Sequence, residues 1–332
     1  MAELSTKYMG LTLRNPIIVA SSGLTDSFSK IQEHDRNGAG AVVLKSLFEE
    51  QIMLEAQHKL EKARKNTFIY SEHSETLDYI DLHIKERELG NYLNLIAQVK
   101  RDLSIPVIAS INCISSAEWT GFAKQIQQSG ADALELNIFL MPFHFENNAN
   151  EIQEKYYEIV RKIKKEITIP VSVKISPYFS NLGQVVMNLE VEGADAVVLF
   201  NRFSSPNIDI DNIKITVADV FSTPAEMYNS LRWIAMLSQR VDIDLAASTG
   251  VHDGEAVIKQ ILAGASAVQV ASALYKNGND YLPKMLNTIH TWMEKKGFNY
   301  IDQFKAKLSQ DKASNPEVYE RLQFMKYFSE IN

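Results

Sequence analysis

One phrase recurs four times along this chain of 332 residues. It is Gly-Ala-x-Ala followed at once by an apolar run, at Gly38–Leu44, Gly130–Leu136, Gly193–Leu199 and Gly264–Val270. Glycine tolerates the left-handed conformation that ends a helix, the small alanines let a helix lie close on a strand, and an unbroken apolar run suits a strand buried on both faces. Each copy therefore predicts a helix end, a tight turn and a strand. Three further runs alternate with these, opened by Ile105-Pro106, Ile169-Pro170 and Ile243-Asp244, and Ile17–Ala20 after Asn15-Pro16 makes eight. Segments with helical periodicity lie between them, as at Ala117–Ser129, Glu151–Lys165, Ala225–Arg240 and Gly254–Leu262. Eight strands alternating with helices, all needing crossover connections, predict an α/β chain folded as a (β/α)8 TIM barrel. An open doubly wound sheet is the alternative.

Barrels of this class form one domain at this length, and no Pro/Gly/Ser-rich linker interrupts the chain, so residues 1–332 are expected to be a single domain. Three segments exceed a minimal barrel. Residues 48–90 form a His- and Glu-rich insertion after the second strand, and residues 202–224 follow the sixth strand and contain a possible hairpin over Asn207–Val220. The tail from 298 to 332 is polar and is expected to be helical. Loops after strands lie on the catalytic face, which makes the first two insertions candidates for a lid or a dimer contact.

The strand ends carry the chemistry. The first closes on Ala20-Ser21-Ser22-Gly23, the second on Lys45-Ser46, the third on Asn112-Cys113, the fourth on Asn137, the fifth on Lys174, the sixth on Asn201, the seventh on Ser248-Thr249-Gly250 and the eighth on Ala271-Ser272. A buried strand has no local reason to end in an ammonium or a carboxamide. When strand after strand does so, the ends converge on one ligand. Thr249-Gly250 and Ala271-Ser272 suit a phosphate, because small residues expose backbone N–H groups and the loops after strands seven and eight often hold one. Asp253-Gly254 opens a helix whose N-terminus favours an anion, with His252 beside it. The amides and two cations that remain suit a flat heterocycle with carbonyl edges, such as a flavin ring and an oxidised pyrimidine. A lysine near the flavin N1/C2-carbonyl edge would stabilise the anionic reduced form.

The net charge of −7 argues against generic nucleic-acid binding and against a basic membrane-surface patch. One cysteine, Cys113, excludes an internal disulfide framework and a thiolate metal cluster, and no metal site is expected. No apolar stretch reaches bilayer length and the N-terminal residues lack a signal-peptide pattern, so a soluble cytoplasmic protein is expected. No GxGxxG stands at a strand-to-helix turn, which argues against direct nicotinamide binding by a Rossmann unit.

In order from Leu13 to about Lys307 the chain reads LRNPIIVASSG, GAGAVVLKS, IPVIASINC, SGADALELN, IPVSVKISPYF, STGVHDGEAVIKQILAGASAVQVASALY and YIDQFKAK. Together these stretches resemble the dihydroorotate dehydrogenase family and the related FMN domain of dihydropyrimidine dehydrogenase. The resemblance implies an FMN-containing barrel, commonly dimeric, that passes hydride between a substrate ring carbon and flavin N5; the electron acceptor is not identified by the sequence, and a soluble acceptor or partner protein is expected. By position it implies that Ala20, Ser21, Ser22, Gly23, Lys45, Ser46, Asn112, Asn137, Lys174 and Asn201 line flavin and substrate. Lys45, Asn137 and Asn201 would lie on the substrate side, and Thr249, Gly250, Ala271 and Ser272 would hold the phosphate. The family usually has Gly-Gly and Gly-Thr at these last two places.

One departure stands out. After the matched asparagine the family continues Leu-Ser-Cys-Pro-Asn, with the cysteine (or a serine) as the base at the neighbouring carbon. This chain reads Ile138-Phe139-Leu140-Met141-Pro142, and leucine cannot transfer a proton. The Asn-rich substrate loop expected within residues 48–90 is also unrecognisable. His144 is the candidate replacement base, with Cys113, His73 and Tyr70 as weaker candidates; Lys45 is the other candidate catalytic residue. Two other readings stay open: an FMN-binding paralogue without the family reaction, and a barrel lyase or aldolase with Lys174 or Lys45 as a Schiff base.

Overall fold

A computed structural model of the chain describes residues 2–48, 74–112, 116–141, 146 and 148–320. Eight parallel strands appear where the apolar runs place them: β1 (Ile17–Val19), β2 (Ala41–Val43), β3 (Val107–Asn112), β4 (Ala133–Asn137), β5 (Val171–Ile175), β6 (Ala196–Leu199), β7 (Asp244–Ala247) and β8 (Ala267–Val270). Hydrogen bonds link each to the next, β8 pairs with β1, and β2 pairs with β3, so the sheet closes on itself. Closure rules out the open sheet and makes the fold a (β/α)8 barrel. The surrounding helices are α1 (Phe28–Arg36), α2 (Ser74–Asp102), α3 (Ser116–Gln128), α4 (Ala149–Glu166), α5 (Leu182–Val191), α6 (Met227–Leu237), α7 (Gly254–Ala263) and α8 (Tyr281–Lys296).

The repeat has a structural cause at every position. Its four leading glycines all take positive φ, between +90° and +126°, which a Cβ would oppose. In two copies the third residue is an aspartate with the same double task. Asp132 accepts from the Val107 amide and pairs with Lys100, and Asp195 accepts from the Val171 amide and pairs with Lys164. One carboxylate thus ties a strand to its neighbour and to the helix behind it.

The helices bury one stripe against the barrel. On α4, Tyr156, Val160 and Ile163 face inward, and the helix starts at a capping box in which the Asn148 side chain accepts from the Glu151 amide at 3.0 Å. Inside the barrel the packing is separate: Ile18, Val43, Ile108, Ala133, Val198, Ala246 and Ala267 meet Tyr8, Met9 and Leu13. The latter three belong to a hairpin, Thr6–Tyr8 with Leu11–Leu13, that plugs the N-terminal end. Among the described residues, no helix is long and apolar enough to cross a membrane.

Two of the three extra segments differ from expectation. The boundary expected at Gly90 is absent, because α2 runs unbroken through it; a single glycine in a long helix costs only about 1 kcal/mol. Residues 49–73 lie outside the described residues. As far as Glu320 the tail is not one helix: from Phe298 it makes two 3-10 turns, Ile301–Gln303 and Gln310–Lys312, and one α turn, Glu317–Glu320, and residues 321–332 lie outside the described residues. Ile301 and Phe304 are fully buried, worth roughly 1.5–3 kcal/mol each, and the Ala306 amide donates to the Ile261 carbonyl of α7. Burial against α7 dictates this path. The third segment matches: Pro206–Asp209 pairs antiparallel with Lys214–Val217 as a hairpin after β6.

Candidate active site

Side chains alternate along a strand, so the residue two beyond each inward core position points to the C-terminal mouth. That rule carries Ile18 to Ala20, Val43 to Lys45, Ser172 to Lys174 and Gln269 to Ala271. At the floor of the mouth Lys174 is 7% exposed, and its ammonium donates to Gln269 Oε1 at 2.7 Å and stands 3.7 Å from Glu135 Oε1. Gln269 in turn donates to Glu135 Oε2 at 2.5 Å. The carboxylate and carboxamide, both almost fully buried, fix the amine of Lys174 in one direction. Below them the fully buried Tyr8 phenol has its pKa pushed well up, first by burial and then by the Glu135 and Asp244 carboxylates.

Above this floor opens a cleft of about 440 Å³, within the usual range for cofactor sites. Ala20, Ser21, Ser22, Lys174, Asn201, Ser248, Thr249, Gly250, Ala271 and Ser272 line it, from five different strands. At its β7 end Thr249 and Gly250 take φ of +73° and +77°, and the Thr249 hydroxyl donates to the Phe200 carbonyl at 3.1 Å. A Cβ on Gly250 would lie 2.2 Å from the Met227 amide nitrogen, so only glycine lets this loop pass the start of α6. Across from it the Ser222 amide donates to the Ser272 hydroxyl, Ser222 Oγ meets His252 Nε2 at 3.0 Å, and Lys276 donates to the Ser222 carbonyl. Burial, then Lys276, lowers the pKa of His252. Asp253 caps α7 with its own carboxylate, accepting from the Ala256 amide at 2.7 Å. That helix end, expected to favour an outside anion, already holds a negative charge.

A profile of the dihydroorotate dehydrogenase family matches residues 3–293. The chain belongs to the dihydroorotate dehydrogenase family. Among its relatives, the dihydroorotate dehydrogenase B (NAD(+)) catalytic subunit of Thermoplasma volcanium is 28% identical over 311 residues, covering 91% of this chain and 97% of that protein. The catalytic subunits of the same name from Thermoplasma acidophilum and Methanothermobacter thermautotrophicus are 27% and 26% identical, over 91% and 90% of this chain and 97% and 96% of theirs. Enzymes of this family are flavin-dependent oxidoreductases that act on a CH–CH bond.

In this member of the dihydroorotate dehydrogenase family the remaining candidates spread around the mouth. Asn137 is buried and accepts from the Asn201 carboxamide at 2.6 Å. Lys45 and Ser46 line a neighbouring cleft of about 290 Å³ with Thr25, Asp26, Glu88, Asn91 and Tyr92, not the cleft above Lys174. The two clefts touch through the Ser21 hydroxyl, 3.0 Å from that of Ser46. Lys45 is exposed and makes no ion pair among the described residues. Asn112 lies at the end of β3, paired with Phe48, and Gly23 lies under the Tyr275 hydroxyl, where a Cβ would come within 2.9 Å. Leu140 is half-buried, its amide donating to the Tyr156 hydroxyl at 3.3 Å, and it offers no proton acceptor. His144, Cys113, His73 and Tyr70 lie outside the described residues.

Sequence reasoning did not single out Gln269, Glu135, Ser222, Phe221, Arg202 or Tyr275. For the first two a signal existed: a carboxamide and a carboxylate stand inside apolar runs, AVQV and ALEL, at inward positions. Phe221, Ser222 and Arg202 come from the segment after β6, and nothing local marks them as wall.

Proposed function

We propose that residues 1–332 form a single FMN-binding barrel domain that oxidises a CH–CH bond of dihydroorotate or a related cyclic, dihydropyrimidine-like substrate. The observation that carries this reading is the buried ammonium of Lys174 beneath a cleft whose β7–β8 wall is backbone and small side chains. When bound, FMN supplies the acceptor for a hydride. Lys174, held by Glu135 and Gln269, sets a positive charge where the reduced ring gathers negative charge. Thr249, Gly250, Ala271 and Ser272 offer backbone N–H groups for the phosphate, with His252 and Lys276 close by. Ala20, Ser21, Ser22, Gly23, Ser46 and Asn112 complete the cofactor wall. Asn137 and Asn201 present amides to the substrate, with Lys45 on the opposite side of the mouth.

Loss of hydride from one carbon requires loss of a proton from the next. His144 is the proposed acceptor, since Leu140 cannot serve, and Lys45 is the other proposed catalytic residue, as a positive charge at the mouth. The relatives are named as catalytic subunits of an NAD(+) enzyme, which supports passage of electrons to a second, soluble protein. A homodimer is supported by the apolar face of the hairpin after β6, and a cytoplasmic location by the single cysteine.

A flavin-binding paralogue without the family reaction is the second reading, and Leu140 is the observation that favours it. A Schiff-base role for Lys174 is disfavoured because its amine is already engaged by Gln269 and Glu135. Anaerobic stopped-flow spectroscopy with dihydroorotate and other dihydropyrimidines separates these readings. Bleaching of a bound flavin is expected. A coloured protein that no dihydropyrimidine bleaches supports the paralogue, and a colourless protein overturns the cofactor assignment.

A further inference from the structure

The geometry points to a substrate that brings a flat, uncharged ring group to the β4–β6 side of the mouth, in place of a carboxylate. The inference rests on the flavin-dependent reading above. Phe139 and Tyr178 each lie two residues beyond an inward position, Asn137 and Ser176, and Phe203 follows β6, so the three rings come from strands that are hydrogen-bonded neighbours. Alternation carries Phe139 and Tyr178 to the rim, and Phe203 reaches it from the loop after β6. They converge there. Phe139 and Phe203 have ring centroids 4.1 Å apart, and Tyr178 stacks on Phe203 at 5.8 Å with planes 23° apart. Yet Phe139 is 40% exposed and Tyr178 52%, and Met141 beside them is 38% exposed. Large apolar side chains gathered at the rim of a site and left open mark a surface that something covers.

The charges near this shelf settle which chemistry covers it. Arg202 is turned away onto Glu226, at 2.9 Å, and onto the carbonyls of Asp219 and Val220, both at 2.8 Å. Lys214 pairs with Asp209 out on the hairpin. Among the described residues after β4, β5 and β6, no cation is left to meet a carboxylate, and an anion pressed against three rings would lose water without compensation. The amides of Asn137 and Asn201 below are suited to the neutral edges of a lactam or imide ring. A second ring carried by that substrate would stack above them on Phe203, the ring that touches both others.

Two probes with one core test this: orotate, which is uracil bearing a 6-carboxylate, and 6-phenyluracil, in which a phenyl group replaces it. Each is titrated into the purified flavin-containing protein by calorimetry, with flavin absorbance recorded on the same sample. We expect 6-phenyluracil to bind about tenfold more tightly than orotate, and Phe203→Ala to remove most of that preference while leaving orotate affinity within about twofold. Where Phe203→Ala does not fold, Tyr178→Ala, at an exposed position, is expected to weaken 6-phenyluracil selectively by a few-fold. Equal or tighter binding of orotate, binding of neither probe, or a preference indifferent to these substitutions overturns the inference. A coloured protein that prefers orotate sinks the ring shelf alone, whereas a colourless protein sinks the flavin reading with it.

Discussion

Around the barrel mouth the wall from β7 through β8 to β1 is made of backbone and small side chains, whereas the wall from β4 to β6 is made of rings. The first presents Ser248, Thr249, Gly250, Ala271, Ser272, Ala20 and Ser21, positioned by two left-handed residues and by contact with α6. The second presents Phe139, Tyr178 and Phe203, half exposed and touching chiefly one another. A wall of amides recognises a group that many molecules share, such as a phosphate, and has little room for substitution. A wall of side chains can be changed one residue at a time without disturbing the barrel. On the proposed reading, the first wall holds the cofactor phosphate and the second selects the substrate.

Lys174 lies beneath both walls, and its loss has the largest expected effect. Lys174→Met leaves Glu135 buried without its counter-charge, a cost of about 3–5 kcal/mol. We expect a large drop in the thermal unfolding midpoint and loss of flavin from the purified protein. The double variant Lys174→Met/Glu135→Gln removes the orphaned charge, so it should recover most of the stability but not the flavin. Recovery of both would show that Lys174 serves the fold alone.

Gly250→Ala attacks the backbone wall directly. Positive φ costs roughly 1–3 kcal/mol for a residue with a Cβ, and overpacking against the Met227 amide adds a similar amount. Flavin content should fall more steeply than stability, because the loop must move to relieve the clash. A variant that keeps full flavin content would break the contrast between the two walls.

The two walls were not equally legible in the chain. The Gly-Ala-x-Ala repeat announces four of the eight strands because its glycine, its alanine and, twice, its aspartate each answer to a local demand that sequence carries. Lys174 was visible for the same reason, as an ammonium closing an apolar run. Gln269 and Glu135 sit inside such runs and read as part of them until the closed barrel brings β4, β5 and β8 to one floor. The rings at 139, 178 and 203 were less legible still. Each follows its strand in an unremarkable loop, and only closure of the sheet makes them neighbours. Gly90 misled in the opposite sense, since a single glycine within a long helix need not end it.

His252 tests the backbone wall through pH. Burial and Lys276 hold its pKa below the usual 6.5, so below that value the unfolded chain takes up a proton that the native state resists. Its contribution is therefore fully present above pH 6.5 and is lost as pH falls. His34, buried against the Leu24 carbonyl and also lowered, acts with the same sign. The unfolding midpoint should fall as pH drops below 6.5, and His252→Gln should flatten part of that slope. An inorganic phosphate or FMN bound beside His252 favours its charged form, so added ligand should also flatten the slope.

The smallest effect on the barrel, though not on assembly, is expected from the hairpin that extends the ring wall beyond β6. Pro206, Ile208, Ile215 and Val217 share one face, with Ile208 directly opposite Ile215, while Asn207, Asp209, Lys214 and Thr216 share the other. Ile208 is 67% exposed and Ile215 81%, so nothing among the described residues covers that apolar face. Ile208→Ser/Ile215→Ser should change stability by less than about 1 kcal/mol, since neither side chain is buried in the monomer. Flavin content and affinity for 6-phenyluracil should stay as they are. If this face holds two copies together, the variant elutes as a monomer in light-scattering chromatography at concentrations where the parent chain is a dimer. If both elute alike as dimers, the contact lies elsewhere on the molecule. A change in 6-phenyluracil affinity would instead mean that hairpin and ring shelf form one continuous wall, and the side-chain half of the mouth would extend outward to the tip of the hairpin.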